Sequence, residues 1–479
     1  MERLYKKLEE YGRTGCYPFH MPGHKRNVSS VDGDFPFGTD ITEIEGFDNL
    51  HHAEGIIKKA QKDMARLYGV KETFFSINGS TAALQAAISA CVRRGGQILM
   101  ARNCHKAVYN TLYLRDLQPT YIYPHREEKL GINGGISAAR VERYLEEDPE
   151  IQAVLITSPT YDGIVSDVKR IAKAAHAHGI PLIVDEAHGA HFHFSDYFPA
   201  SAADLGADLV IQSLHKTLPA MTQTAVLHRC TDRVDRNLIS RFMGIYQTSS
   251  PSYVLMASMD ACADKLARNG KEMFAQYTEN LQNARERLKK CNHICLVTPQ
   301  KGKDLRITDY DRSKMIFSTE NSSLNGKQLS RILNREFHLE MEMSAEGYAL
   351  ALTSVGDTRE GFEKLCEAIE EIDRRESLKN VEEAECGNED KKYSIGEMKQ
   401  CMRISQAMDS DSMQCILEES VGKISAEFAY LYPPGIPILV PGEQITGLFV
   451  RNVRRYMEQG LELQGLRDSS NETICVVKE

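Results

Sequence analysis

The sequence predicts an α/β fold in which a mostly parallel sheet is flanked by helices. From about residue 53 to residue 226, short apolar segments alternate with helical segments. Two of the apolar segments, 153–157 and 181–185, are nearly continuous apolar runs, as in strands buried on both faces. Because alternating strands and helices build parallel sheets with crossover helices, this order indicates the fold class.

Each element of this region has its own signal. Segment 56–68 has the periodicity of an amphipathic helix, and 81–93 is a helix rich in small residues. The further predicted helices are 138–146, 168–178 and a long helical stretch after Tyr253 to about 288. The predicted strands are 73–77, 97–100, 119–123, 153–157, 181–185, 209–212 and, later in the chain, 314–318 and 348–353.

The 479 residues are too many for one compact unit, so several domains are expected. Punctuation by Pro and Gly makes residues 1–50 a loop-rich N-terminal arm, and 51–290 forms the large α/β domain. Residues 291–375 mix strands and helices and predict a small α+β domain. The highly charged stretch 376–395 is expected to be a linker, and 396–479 a C-terminal domain.

Composition excludes several classes of function. The formal net charge of −9 argues against a nucleic-acid or anionic-membrane partner, since either favours a basic face. The N-terminal residues lack the apolar core of a signal peptide, and no stretch approaches the ~18 apolar residues of a membrane span. The 12 cysteines never form a C-x-x-C pair, so we expect reduced thiols in a cytoplasmic protein.

A phosphate-binding turn is predicted at Asn78-Gly79-Ser80-Thr81, between a strand and a helix. Free N–H groups and the positive dipole end of a helix bind phosphate, and Gly79 lets the backbone approach it. Ser80 and Thr81 add hydroxyl donors. On its own this tetrapeptide is as well explained by an ordinary helix N-cap.

Asp185 ends a buried strand, where ligands bind in open α/β sheets. A buried carboxylate needs a cationic or hydrogen-bonding partner, and the pyridinium nitrogen of pyridoxal phosphate is one such group. The alternatives are a structural ion pair or a metal site using His188, His191 and His193, spaced as on one side of a strand. Interleaved Phe192 and Phe194 favour a half-buried strand without metal.

Lys216 follows the next strand, in Ser213-Leu214-His215-Lys216. Partial burial of this lysine favours Schiff-base chemistry, although an isolated motif of this kind is more often a surface helix end. His105, after strand 97–100, is placed to stack on a planar ring. Together these residues supply a phosphate cradle, a ring stacker, an anchor for the ring nitrogen and an aldehyde-trapping lysine, and this combination favours the functional interpretation.

These residues resemble fold-type-I pyridoxal-phosphate enzymes and, more narrowly, the Orn/Lys/Arg decarboxylase family, in its short Gram-positive form. The resemblance covers residues 17 to about 450. The further motifs that carry it are Phe19-His20-Met21-Pro22-Gly23-His24-Lys25, Asp40-Ile41-Thr42-Glu43, Asp48-Asn49-Leu50-His51, Asp185-Glu186-Ala187-His188, Tyr432-Pro433-Pro434-Gly435-Ile436-Pro437 and Val440-Pro441-Gly442-Glu443.

The resemblance implies pyridoxal phosphate as cofactor and a role for each residue. Lys216 would form the Schiff base, Asp185 would pair with the pyridine nitrogen and His105 would stack on the ring. His188 would lie near the phenolic oxygen, in a position where long family members often carry an aromatic residue. The implied phosphate ligands are Ser80, Thr81, Ser213 and His215, joined by Thr248 of a neighbouring subunit in a homodimer or larger homo-oligomer.

The expected reaction is decarboxylation of a basic amino acid, with arginine first and lysine or ornithine next. Lys216 and His215 remain alternatives as the proton donor to the α-carbon. The distal cation of the substrate requires a carboxylate, for which Glu443 is the first candidate and Asp40 and Glu43 follow. Competing interpretations are an aminotransferase, an α-oxoamine synthase or a non-catalytic protein that retained the fold.

Overall fold

The structure, a computed structural model, describes residues 2–27, 31–126, 130–299, 307–379, 396–431, 435–458 and 463–478. Its α-helices are α1 (Leu4–Gly12), α2 (Ile56–Leu67), α3 (Gly79–Cys91), α4 (Lys106–Arg115), α5 (Ala138–Glu147), α6 (Val168–Ala177), α7 (Leu214–Thr217), α8 (Arg236–Tyr246), α9 (Tyr253–Leu288), α10 (Gly326–Phe337), α11 (Arg359–Ser377), α12 (Ile404–Asp409) and α13 (Gly447–Glu458). Short 3-10 helices include Leu50–His52, Phe192–Phe194 and Leu417–Ser420.

The strands complete the framework. They are β1 (Glu72–Ser76), β2 (Gln97–Ala101), β3 (Gln118–Ile122), β4 (Ile151–Thr157), β5 (Ile164–Val165), β6 (Leu182–Asp185), β7 (Leu209–Ser213), β8 (Ala225–Arg229), β9 (Cys295–Leu296), β10 (Asp309–Tyr310), β11 (Lys314–Ser318), β12 (Met343–Ser344), β13 (Tyr348–Leu352), β14 (Ser412–Ile416), β15 (Ala429–Leu431), β16 (Ile436–Leu439), β17 (Leu463–Gln464) and β18 (Thr473–Val477).

The chain divides into two compact units. Unit 1 comprises Met1–Cys91, Val168–Glu279 and Ser354–Gly356, and unit 2 comprises Val92–Asp167, Asn280–Thr353 and Asp357–Glu479. Both units are discontinuous in sequence, whereas the domains predicted from the sequence are consecutive segments. Those domain boundaries remain a prediction.

Unit 1 contains four neighbouring strands in the order β1-β8-β7-β6. Strands β6 and β7 are parallel, and β8 runs antiparallel to β7 on one side and to β1 on the other. Every residue of β7 is buried, which agrees with the apolar run Leu209-Val210-Ile211 in its first part. Small side chains along α3, with Ala83, Ala86 and Ala87 fully buried, allow this helix to pack closely.

Unit 2 contains the parallel strands β4-β2-β3 and a separate antiparallel sheet in the order β12-β13-β11-β9. Towards the C-terminus, β14 pairs with β18, and β15 lies between β16 and β17. Leu417, Leu439, Phe449 and Val453 are at the centre of the apolar core around them. The mostly parallel α/β sheet with smaller C-terminal α+β parts confirms the predicted fold class.

Several elements of unit 1 were not predicted, among them α1, β8 and α8. Helix α1 lies in the arm that Pro and Gly had marked as loop, and it is anchored by buried Leu4 and Leu8 on one face. Strand β8 and helix α8 follow the predicted strand 209–212, and the reversal of β8 depends on pairing with strands on both sides. Most of the predicted linker 376–395, and Tyr432-Pro433-Pro434, lie outside the described residues.

None of the helices described is long and apolar enough to span a membrane.

Candidate active site

Lys216 lies in the one-turn helix α7, directly after β7. Its Nζ atom is 2.9 Å from Nε2 of His188, and the lysine is half-buried while His188 is buried. Burial raises the pKa of the Asp185 carboxyl, and Lys216 is close enough for its positive charge to oppose this rise. Two separate stretches of sequence, 185–188 and 213–216, therefore come together in unit 1.

Asp185 is the last residue of β6 and is 3 % exposed. Burial raises the pKa of its carboxyl, against the opposing effects of Lys216 and of the Ala187 N–H, which donates to Oδ1 at 3.2 Å. A buried carboxyl of this kind gains from a further cationic donor. The pyridinium N–H of pyridoxal phosphate has that character, so Asp185 fits the cofactor.

His215 is held in one tautomer by the backbone. Its Nδ1 atom is 2.9 Å from the carbonyl oxygen of Thr224, and because a carbonyl only accepts, Nδ1 must donate. Burial lowers the pKa of the His215 imidazole, and the charge of Lys216 lowers it further. The ring is therefore neutral near pH 7, with Nε2 as its acceptor nitrogen.

Ser213 carries an unsatisfied polar atom at the predicted phosphate site. It is fully buried, and its Oγ has no hydrogen-bond partner among the described residues. The same holds for Oγ1 of Thr217, which sequence reasoning did not assign. Since an unsatisfied buried hydroxyl costs about 1–3 kcal/mol, both hydroxyls flanking Lys216 fit a site that binds an acceptor-rich group such as a phosphate.

The Ser213→Ala variant is expected to leave the apoprotein as stable as the wild type or slightly more stable, because it removes an unsatisfied hydroxyl. It should also weaken pyridoxal phosphate binding about tenfold. Thermal denaturation of the apoprotein and absorbance titration with the cofactor measure the two effects. The matched control is Ser89→Ala, which removes a hydroxyl 3.0 Å from the Tyr246 hydroxyl and should lower stability without changing cofactor affinity.

The predicted phosphate turn opens helix α3, which begins at Gly79. Gly79 has φ +72°, a backbone conformation that favours glycine. Ser76 and Ser213 both pair with Ala225 of β8, so β1 and β7 end at the same edge. Two strand spacings of about 4.8 Å separate these ends, which brings the α3 N-terminus and Ser213 to one edge of the sheet. Ser80 is half-buried there and Thr81 is exposed.

The backbone of Thr248 contacts the same turn at Asn78. Its N–H donates to Oδ1 of Asn78 at 3.3 Å, and its carbonyl accepts from Nε2 of His51 at 2.7 Å. The residue is exposed in the single chain. Its assignment to the phosphate of a neighbouring subunit remains a prediction.

His105 lies in unit 2, where it is the N-cap of α4. Its Nδ1 accepts from the Ala107 N–H at 3.2 Å, and the residue is half-buried. The cap fixes the ring at a strand-to-helix turn, as expected for a residue after β2. Stacking of the ring on a cofactor remains a prediction.

The three carboxylates predicted for substrate binding differ in their partners. Asp40 lies 3.1 Å from Nε2 of His24, whose ring stacks on Phe37 at 4.2 Å between centroids. Glu43 accepts from the hydroxyl of Thr42 through Oε2, while its Oε1 is buried with no partner among the described residues. Glu43 therefore retains an unsatisfied buried acceptor.

Glu443, the first candidate from the sequence, already has its charge paired with that of Arg102. It is fully buried, and Nε and Nη2 of Arg102 donate to its two oxygens at 3.1 and 3.0 Å. The Val440 N–H donates to the same carboxylate at 2.8 Å. This geometry favours a structural role over the predicted contact with a substrate. The position of Arg102 directly after a strand was the signal that could have identified its partner.

The histidines after Asp185 do not lie on a strand. Residues Phe192–Phe194 form a 3-10 helix, and His191 is buried edge-on between Phe192 and Phe198 with centroids 4.8 and 4.6 Å away. His193 contacts Asp204 at 3.6 Å. The prediction of a half-buried strand was wrong, because the chain turns at Gly189 after β6. Within the described parts of the chain, no group of three or more His, Cys, Asp or Glu could hold a metal ion.

The family models and the similar sequences agree on one family. The model of the Orn/Lys/Arg decarboxylase major domain matches residues 2–323, and that of the family's C-terminal domain matches residues 391–465. The chain is 32% identical to proteins named arginine decarboxylase from Bacillus subtilis and Halalkalibacterium halodurans, over 99% of this chain and 98% and 97% of those proteins. In structure it is similar to the lysine decarboxylase LdcF of Francisella novicida, with a TM-score of 0.84 and 20% identity over 99% of this chain and 81% of that one. The chain belongs to the Orn/Lys/Arg decarboxylase family.

Proposed function

We propose that this chain is a pyridoxal-phosphate-dependent decarboxylase of L-arginine. The observation that carries the proposal is the contact of Lys216 with His188, 2.9 Å apart, beside the buried Asp185. Arginine is preferred to lysine because the relatives that match almost the full chain at 32% identity are named arginine decarboxylases. At 20% identity, the likeness to a lysine decarboxylase carries information on the fold alone.

Residues of unit 1 would hold the cofactor at three points. Lys216 would bind its aldehyde, Asp185 would pair with the ring nitrogen, and the α3 N-terminus with Ser213 would hold the phosphate. When bound, pyridoxal phosphate supplies an electron sink for the electrons released by CO₂ loss. Because Asp185 is desolvated, its carboxylate would interact strongly with a ring N–H and would favour the protonated ring nitrogen.

Lys216 is the better proton donor of the two candidates. His215 is neutral, its single N–H at Nδ1 is donated to Thr224, and Nε2 is therefore an acceptor. The Lys216 ammonium has protons to donate and lies against Nε2 of His188, which can accept one. We therefore assign reprotonation of the α-carbon to Lys216, with His188 holding the Nζ atom in place.

Glu43 is the proposed ligand of the substrate guanidinium. One of its oxygens is buried and unsatisfied, and a planar guanidinium donates to a carboxylate through two parallel N–H groups. The Glu43→Gln variant should raise the KM for arginine at least about tenfold, with a smaller change in kcat. The matched control is Glu45→Gln, an exposed residue two positions later, which should leave KM unchanged. An unchanged KM in Glu43→Gln would remove this assignment.

The test of the function is CO₂ release by the purified protein supplied with pyridoxal phosphate, with arginine, lysine and ornithine assayed separately. Release from arginine in preference to the others is expected. Preference for lysine or ornithine would overturn the proposed substrate. No release from any of them, with transamination or acyl transfer instead, would overturn the proposed reaction.

Assembly and location complete the proposal. We infer a cytoplasmic homodimer or larger homo-oligomer, supported by the exposed position of Thr248 beside the phosphate turn. In such an assembly the Thr248 hydroxyl of one subunit would reach the phosphate bound by its neighbour, and a monomer would be inactive.

A further inference from the structure

A chain of buried polar side chains crosses four neighbouring strands of unit 1. Thr73 lies on β1, His228 on β8, Gln212 on β7 and Glu186 directly after β6, and each is at most 4 % exposed. Oγ1 of Thr73 is 2.8 Å from Nδ1 of His228, and Nε2 of His228 is 3.1 Å from Oε1 of Gln212. Nε2 of Gln212 donates to Glu186 at 2.7 Å. An apolar sheet core does not require such a chain.

The Glu186 carboxylate, at one end of this row of side chains, fixes the direction of every hydrogen bond in it. A carboxylate accepts, so Gln212 donates its amide N–H to Glu186 and must accept with its oxygen. His228 therefore donates from Nε2 and accepts from the Thr73 hydroxyl at Nδ1. Burial lowers the pKa of His228 to about 3, which agrees with this neutral ring. All donors point towards Glu186.

This row of hydrogen-bonded side chains lies on one face of the strands, and the proposed cofactor residues lie on the opposite face. Asp185 pairs with Ile211 in the parallel register, so these two residues and Ser213 share one face. Glu186 and Gln212 are the next residues along and point to the other face. Each therefore adjoins a residue proposed to bind the cofactor.

Glu186 also holds the turn that carries His188. Its carboxylate accepts from the Ser201 hydroxyl and the Ala202 N–H, both at 2.7 Å. Its own N–H donates to Ile211 at 2.9 Å, and its carbonyl accepts from Gly189 at 2.9 Å. A methyl group at Gly189 would lie 2.6 Å from Cγ of Glu186, so the turn is tightly packed on this side chain.

We infer that Glu186, at the end of this row of buried side chains, is a positioning residue, which sets the placement of Asp185 and His188 through its own contacts with Gln212, Ser201 and Ala202. The inference rests on the proposed function, since it assigns roles to both of those residues. Asp185 and His188 flank Glu186 within four residues, and His188 holds the Nζ atom of Lys216. Displacing the Glu186 carboxylate moves the segment between them and changes the surroundings of Lys216 and the ring nitrogen.

The pKa of Glu186 is raised to about 7, because the effect of burial outweighs the opposing effect of its three hydrogen-bond donors. Ser201, the Ala202 N–H and Gln212 contact it directly. The titratable groups around it at longer range include Asp204, Tyr68 and Cys230. A carboxylate, with about four acceptor sites, can accept from all three donors, whereas an amide oxygen has only about two such sites. The Glu186→Gln variant keeps the size of the side chain and turns an NH₂ group towards one of these donors.

The experiment compares Glu186→Gln with the wild-type holoenzyme by the pH dependence of the absorbance of bound pyridoxal phosphate. The midpoint is expected to shift by about half a pH unit or more, with kcat reduced about tenfold and KM changed less. The control is Thr73→Val, which removes a buried hydrogen bond at the far end of the chain. It should lower the Tm of the apoprotein but leave the midpoint in place.

A Glu186→Gln variant with a lower Tm and the wild-type midpoint would overturn the positioning role. Should this variant not fold, Gln212→Met removes a single donor from Glu186 and is also expected to shift the midpoint. An unshifted midpoint in Gln212→Met would overturn the role equally. A wild-type protein without any cofactor absorbance that depends on Lys216 would instead overturn the proposed function.

Discussion

Replacing Lys216 with alanine is expected to abolish CO₂ release from arginine, with a loss of at least about a thousandfold. The variant removes both the aldehyde-binding amine and the proposed proton donor, and no neighbouring side chain replaces both. His188 and His215 are imidazoles, and His215 is already committed to the Thr224 carbonyl. CO₂ release under saturating arginine measures the loss.

The covalent role of Lys216 has its own readout. Borohydride reduction of the wild-type holoenzyme should fix the cofactor on the peptide that contains Leu214–Thr217, and mass spectrometry should find no such adduct in Lys216→Ala. The matched control is Lys58→Ala, another half-buried lysine of unit 1, which lies 3.9 Å from Glu72. Equal activity in the Lys216 variant and in the control would refute the assignment.

Breaking the Arg102–Glu443 pair is expected to be the most destabilising single change in unit 2. Both residues are buried, and Arg102 also donates through Nη1 to Pro437 and to Tyr109, at 2.6 and 3.0 Å. Removal of one partner leaves an uncompensated buried charge, so Arg102→Met or Glu443→Leu should cost about 3–5 kcal/mol of unfolding free energy. Urea denaturation monitored by circular dichroism provides the measurement.

Two further variants separate charge from packing. The double variant Arg102→Met with Glu443→Leu contains no unpaired charge and should recover part of the loss. Arg454→Met removes a half-buried arginine whose partners Glu418 and Glu472 are exposed, and it should cost less than about 1 kcal/mol. A Glu443→Leu variant as stable as the wild type would show that the pair contributes nothing.

The same pair bears on the candidate site because it stabilises the segment that carries His105. The Tyr109 hydroxyl donates to the Arg102 carbonyl at 2.5 Å, and the Lys106 N–H donates to the carbonyl of Gly435 at 3.2 Å. Gly435, Pro437 and Glu443, which belong to the last two motifs of the family resemblance, thus contact both ends of the turn. This gives those two motifs a structural explanation that does not involve the substrate.

The sequence by itself determined the fold class, most strand and helix positions and the order of the candidate cofactor residues. These features are local: continuous apolar runs mark buried strands, and Asp185, Ser213 and the Gly79 turn each stand at the end of one. Because parallel strands end at a common edge, a correct strand assignment was enough to bring Asp185 and Lys216 together in unit 1.

Only the tertiary structure decided which carboxylates are satisfied. Glu443 and Glu43 are both acids in loop-like motifs, yet one is paired with Arg102 from a segment more than 300 residues away and the other keeps a buried oxygen without a partner among the described residues. Glu186 gave no local signal either, because its partners Ser201, Gln212 and, through Gln212, His228 come from other strands and loops. The energy of a buried polar group depends on partners brought together by long-range packing, and spacing along the chain does not encode them.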